Sequence, residues 1–178
     1  MTAELAEEIK EKRASPSLKD DILFLAAKLI VLVVMVVLMF TVVFGVVRVS
    51  DMSMKPAIME GDLVFYSRMQ NSYASGDLAV FEYQGVTQVR RVVAVAGDTI
   101  NVDDKGLYIN GYLQQENNIY FDTQNFSEGV ILPITLKEGE IFVLGDKRDS
   151  ADDSRVYGPI KISEVKGKVM TLIRRRNF

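Results

Sequence analysis

Leu29-Ile-Val-Leu-Val-Val-Met-Val-Val-Leu-Met-Phe-Thr-Val-Val-Phe-Gly-Val-Val47 is an apolar run of nineteen residues without a charge, and Ser53-Met54-Lys55-Pro56 follows it almost at once. From Ile22 to Val47 the only charge is Lys28. Roughly 20 such residues span a bilayer as helix, so residues 22–48 are expected to form a transmembrane helix. A cleaved secretory leader would have a shorter apolar core and a small-residue cleavage site. Phe44-Gly45-Val46-Val47-Arg48 offers no such site, which reads as an uncleaved anchor. A buried core helix of this length would need a much larger domain to hide it.

The flanks of this run set the expected orientation. Lys10, Lys12, Arg13, Lys19 and Lys28 precede or open it, whereas only Arg48 and Lys55 follow closely. An excess of Lys and Arg marks the cytoplasmic side. The expected layout is a cytoplasmic segment at 1–21, the plasma-membrane helix at 22–48 and an extracytoplasmic domain at 49–178. Ala3 to Arg13, rich in helix formers and mixed charge, reads as a short helix or a disordered arm. A serine at position 53 would then stand beside the bilayer, and any substrates would be delivered by the membrane.

Composition narrows the chemistry. The chain has no histidine and no cysteine. Ser-His-Asp and Cys-His catalysis, thiol nucleophiles, the usual structural zinc and disulfides are therefore excluded, and no cofactor or metal is expected. Hydrolytic chemistry would have to use hydroxyls, carboxylates, Lys or Arg. A net charge of -3 gives no ground for nucleic-acid binding, and Arg174-Arg175-Arg176 reads as a solvated basic end. About 130 residues remain after the anchor, enough to bury roughly two-thirds of their unfolded surface.

Those residues read as short strands separated by turns: 63–66, 78–83, 86–95, 99–102, 107–109, 141–144 and 169–173. Asp103-Asp104-Lys105-Gly106 has the composition of a hairpin turn. Residues 114–137 are polar with scattered aromatics and read as an irregular excursion. Helical periodicity outside the anchor is confined to 162–165. The fold class expected is mainly β, an N-terminal transmembrane helix followed by an antiparallel, barrel-like domain.

Three further segments occur in order behind the anchor: Ser53-Met54-Lys55-Pro56; Val89-Arg90-Arg91-Val92-Val93-Ala94-Val95-Ala96-Gly97-Asp98; and Gly145-Asp146-Lys147-Arg148 with Asp153-Ser154-Arg155. Together they resemble the type I signal peptidases, over nearly the whole stretch from Leu29 to Gly158. The resemblance implies a serine nucleophile, a lysine general base, and a signal peptide bound as an extended strand. The nucleophile falls on Ser53. The lysine position falls on Arg90, with Arg91-Val92-Val93 and Gly97-Asp98 fixing the register. Asp146, Arg148, Asp153, Ser154 and Arg155 correspond to the segment that shapes and supports the site, and they also read as a salt-bridged turn.

The departures concern the chemistry. Bringing a lysine from about 10.4 to 7 costs roughly 4.6 kcal/mol, whereas an arginine starting near 12.5–13.8 would need about 7.5–9 kcal/mol. A guanidinium also offers no acceptor. Asp51 stands where many relatives have a hydroxyl in the oxyanion hole. Ala151 replaces a serine that orients the lysine, Lys147 replaces the usual Asn, and Ala94 and Ala96 replace Gly and Pro. Asp51 and Arg90 are expected to form an ion pair across the former site. Lys55 and Asp51, each two residues from Ser53, are the alternative bases that spacing allows.

Three functions remain open. In the first, a disrupted Ser/Lys dyad leaves a protein that binds pre-protein or pilin segments without cutting, an accessory factor in pilus or surface-protein assembly working with sortase and pilins. Relatives of this kind, with an eroded site, occur in Gram-positive pilus loci. In the second, an active serine endopeptidase removes signal peptides through Ser53. In the third, the β domain only recruits partners.

Overall fold

The computed structural model describes residues 18–126 and 129–174; the expected arm at Ala3 to Arg13 and the end of the basic tail lie outside them. The chain divides into two compact units between Thr41 and Val42.

The first unit is built on helix α1, Leu18–Val43, 26 residues with none buried. At 1.5 Å per residue it is roughly 39 Å long, long and apolar enough to cross a membrane. Asp20 and Asp21 lie in its first turn, where carboxylates favour the positive end of the helix dipole.

The helix expected over 22–48 thus stops at Val43, and its last five residues are strand. Phe44–Arg48 (β1) pairs antiparallel with Leu63–Ser67 (β2), Gly45 opposite Tyr66 and Arg48 opposite Leu63. Gly45 is a poor helix former, and a Cβ there would sit 2.1 Å from the Tyr66 ring. Valines at 46 and 47 suit a strand as well as a membrane helix.

The remaining strands are β3 (Leu78–Tyr83), β4 (Val86–Val95), β5 (Thr99–Asp103), β6 (Gly106–Ile109), β7 (Tyr112–Leu113), β8 (Ile134–Thr135), β9 (Glu140–Leu144), β10 (Ile160–Lys161) and β11 (Val165–Ile173). A short helix α2, Ser154–Tyr157, and a 3-10 turn, Ile162–Glu164, complete the set. The larger sheet runs β1-β2-β11-β3-β4-β9-β10 and the smaller β7-β6-β5-β8. All their pairings are antiparallel. The larger sheet is open, ending at β1 and β10, so the domain is barrel-like without closing. The β5–β6 hairpin turns at Asp103-Asp104-Lys105-Gly106 as expected, with the Lys105 N–H bonded to Asp103 at 2.8 Å.

Two features position the site. Met54 and Ile58 are fully buried with Val49, Val64, Tyr66, Val80 and Val89, which pins the turn that carries Ser53. Strand β4 changes neighbours part-way: Val86–Arg90 pairs with β3, Arg91 with both β3 and β9, and the stretch after it with β9. Among the described residues, the side of β4 away from β3 is therefore unpaired by any strand over residues 86–90.

Candidate active site

Ser53 lies in the turn after β1, closed by the Lys55 N–H on Met52 O (3.1 Å) and the Ile58 N–H on Met54 O (2.9 Å). Its carbonyl accepts the Lys147 N–H at 2.8 Å. That bond brings the turn against the loop after β9. Gly145 is the point of closest approach: a Cβ there would lie 2.8 Å from Ser53 O and 2.3 Å from the Ala151 Cβ. Nothing larger than glycine fits. Ala151, fully buried, fills the place where the resemblance puts a lysine-orienting serine.

Arg90, on β4, is 1 % exposed. Its Nε donates to Asp152 O at 2.9 Å, Nη1 to Val89 O at 2.8 Å and Nη2 to Asp51 Oδ2 at 3.0 Å. The other Asp51 oxygen, Oδ1, accepts the Ser53 N–H at 3.3 Å. One carboxylate therefore bridges the two positions that the dyad would occupy, and the expected Asp51–Arg90 ion pair is present. Ser53 Oγ makes no hydrogen bond among the described residues. Lys55 Nζ and the Asp51 oxygens, the alternative bases, are not bonded to it either.

The supporting residues divide their partners differently from the closed turn expected. Asp153 and Arg155, both with fully buried side chains, pair with each other through Nε (2.9 Å) and Nη2 (2.8 Å). Asp153 also accepts the Gly145 N–H at 3.0 Å, and Ser154 Oγ accepts the Val143 N–H at 3.0 Å. Asp146, in contrast, is held from β4: Arg91 donates Nε and Nη2 to its two oxygens, each at 2.7 Å. This bond raises the Arg91 pKa above its ordinary value, against the opposing effect of burial. Arg148 donates Nε to Gly145 O at 3.0 Å and its terminal nitrogens to Glu116 and Thr123.

Arg91 and Glu116 are thus partners that motif reading did not single out. Arg91 stood inside a quoted segment; Glu116 sits in the excursion 114–137, where no pattern marks it. Tyr157 is a third. Burial pushes its phenol well above the ordinary value, and its ring packs 4.3 Å from that of Tyr83.

Chemically, the arrangement presents a positioned serine with no proton acceptor bonded to it. The N–H that could stabilise an oxyanion already faces a carboxylate, where a preorganised donor would be worth about 3 kcal/mol.

The profile of the family described as signal peptidase, peptidase S26, matches residues 22–173. Signal peptidase I P of Bacillus subtilis subsp. natto is 27 % identical over 157 residues, covering 82 % of this chain and 83 % of that protein. Signal peptidase I of Bacillus caldolyticus is 33 % identical over 143 residues, 71 % of this chain and 78 % of its own. Among solved structures, a signal peptidase I from Enterococcus faecalis V583 is similar at 29 % identity and a TM-score of 0.46, covering 56 % of this chain and 97 % of that one.

Proposed function

Since the chain belongs to the peptidase S26 family of signal peptidases, we propose that it is a membrane-anchored member that binds extended polypeptide segments and does not cut them. The observation that carries this reading is the Asp51 carboxylate, bonded at once to Arg90 Nη2 and to the Ser53 N–H. A base that cannot accept a proton and an oxyanion donor turned to an anion remove both halves of serine-peptidase chemistry. In this reading Ser53 and Arg90 occupy the catalytic positions, and Asp51, Asp146, Arg148, Asp153, Ser154 and Arg155 maintain their frame.

The binding half of the proposal rests on β4. Its unpaired side over residues 86–90 can take an incoming chain as an added strand, main-chain bonds giving affinity and side-chain pockets selectivity. The ligands are signal peptides or pilin precursor segments, and the role is that of an accessory factor in pilus or surface-protein assembly, with sortase and pilins as its company. The anchor is α1 in the plasma membrane, N-terminus inside, with residues 49–178 outside. Its support is the Lys and Arg excess before the run.

A second reading, an active signal peptidase, is favoured by two observations. Ser53 is retained with Oγ free, and the relatives carry the name signal peptidase I.

Full-length protein in detergent, incubated with a secretory precursor, separates the two. The expected result is no cleavage, Ser53→Ala indistinguishable from the parent, and cutting recovered in Arg90→Lys/Asp51→Ser. Ser53-dependent processing by the unmodified protein would overturn the binding reading.

A further inference from the structure

Two clefts flank the segment from Gln114 to Phe126, which the Ser53 site leaves unused. The one beside Arg91, about 240 Å³, falls short of the roughly 300–1,000 Å³ usual for a ligand site. The other, about 370 Å³, lies between Tyr120–Phe126 and the Arg148–Arg155 loop. We propose that this second cleft receives a cationic side chain, a lysine or arginine of the polypeptide held at the Ser53 turn. The inference rests on the binding reading above.

Its charges point that way. The two arginines in the lining are already matched, Arg148 by Glu116 and Arg155 by Asp153. Asp122 and Asp149 are exposed and form no ion pair among the described residues. Asp149 takes only the Ser150 hydroxyl, at 3.1 Å. Two carboxylates in the lining are therefore left without a countercharge, and an anionic ligand is repelled.

The rings agree with the charges. Tyr120, Phe121 and Phe126 face the same cleft, and aromatic faces attract cations. The Arg155 guanidinium already lies 4.5 Å from the centre of the Phe126 ring, so that ring is used as a cation platform.

The position relative to Ser53 follows from the chain. Lys147 N is 2.8 Å from Ser53 O, and Asp149, two residues on, can be at most about 7 Å further along the backbone. An extended peptide covers that distance in about three residues. The cleft thus selects a basic residue within about three positions of the segment lying at Ser53.

The test uses isotope-labelled full-length protein in detergent micelles and three probes. These are a capped alanine-rich nonapeptide with one lysine three residues from its centre, the same peptide with norleucine, and N-acetylglucosamine. The lysine peptide is expected to shift the amide resonances of Tyr120, Asp122, Phe126 and Asp149. It should bind about tenfold more tightly than the norleucine peptide. Salt should shrink that advantage, and Asp122→Asn/Asp149→Asn should abolish it.

Equal binding of the two peptides, an unchanged advantage in the double variant, or cleft shifts with the sugar alone would overturn the proposal. Shifts at the Ser53 turn without shifts at the cleft would also sink it while leaving the binding reading in place. Cleft shifts without any at the turn would overturn both, since the peptide would then not be held at Ser53.

Discussion

Truncating Asp51 strips a buried guanidinium of the one carboxylate it pairs with among the described residues. Removing one member of a buried pair costs about 3–5 kcal/mol, but Asp51 is 37 % exposed and water can replace it in part. Asp51→Ala is therefore expected to lower unfolding free energy by roughly 1–2 kcal/mol in urea denaturation. Arg90→Ala empties a fully enclosed site and breaks three bonds, and should cost more, about 3 kcal/mol; unchanged stability in both variants would refute the pair. At Gly145 the decisive quantity is space. Gly145→Ala forces a methyl onto Ser53 O and Ala151, with an expected loss of about 1–3 kcal/mol seen as a lowered melting temperature. The Asp51–Arg90 contact was legible in the sequence because the motif register fixed both positions. The partners of Asp146 and Arg148 were not, because a charged side chain finds its countercharge in three dimensions and Glu116 carries no local signature.

Among the elements, the excursion after β7 shows how an irregular stretch is held. Arg148 reaches it through Glu116 and Thr123, and Arg155 through Gln124 O at 2.8 Å. Glu116→Ala is expected to cost roughly 2–4 kcal/mol and to make residues 114–126 cut faster under limited proteolysis, as weakly held segments open more often. An unchanged cleavage rate would show that packing, not the ion pair, secures it. The strands β3 and β4 were readable to the residue, since runs of apolar, aromatic and β-branched residues bounded by Gly and Asp leave little choice. β1 was hidden: Phe44–Arg48 continues an apolar run whose composition suits helix and strand alike, and only pairing with β2 decides. The two-residue strands β7, β8 and β10 are too short for any periodicity to mark them.

For the molecule as a whole, the absence of histidine removes the usual titration near neutrality, so stability should be nearly flat from about pH 6 to 9. The alkaline side differs. Burial, with a smaller push from Asp77, lifts the Tyr73 phenol to about 12, and burial lifts Tyr157 further. The folded chain holds these protons more tightly than the unfolded chain, whose phenols titrate near 10. Their contribution is complete below about pH 10 and is lost as pH climbs toward 12. Melting temperatures measured from pH 9 to 12 should fall, and Tyr73→Phe should fall less steeply; parallel curves would dismiss Tyr73 as a cause. The shared Asp51 carboxylate also bears on descent. Lysine put back at position 90 alone would face that anion and be kept protonated, while exchanging Asp51 first strands a guanidinium in the interior. Under the proposed binding reading, each single step toward a working peptidase passes through a form poorer than its parent, so the pair would act as a ratchet.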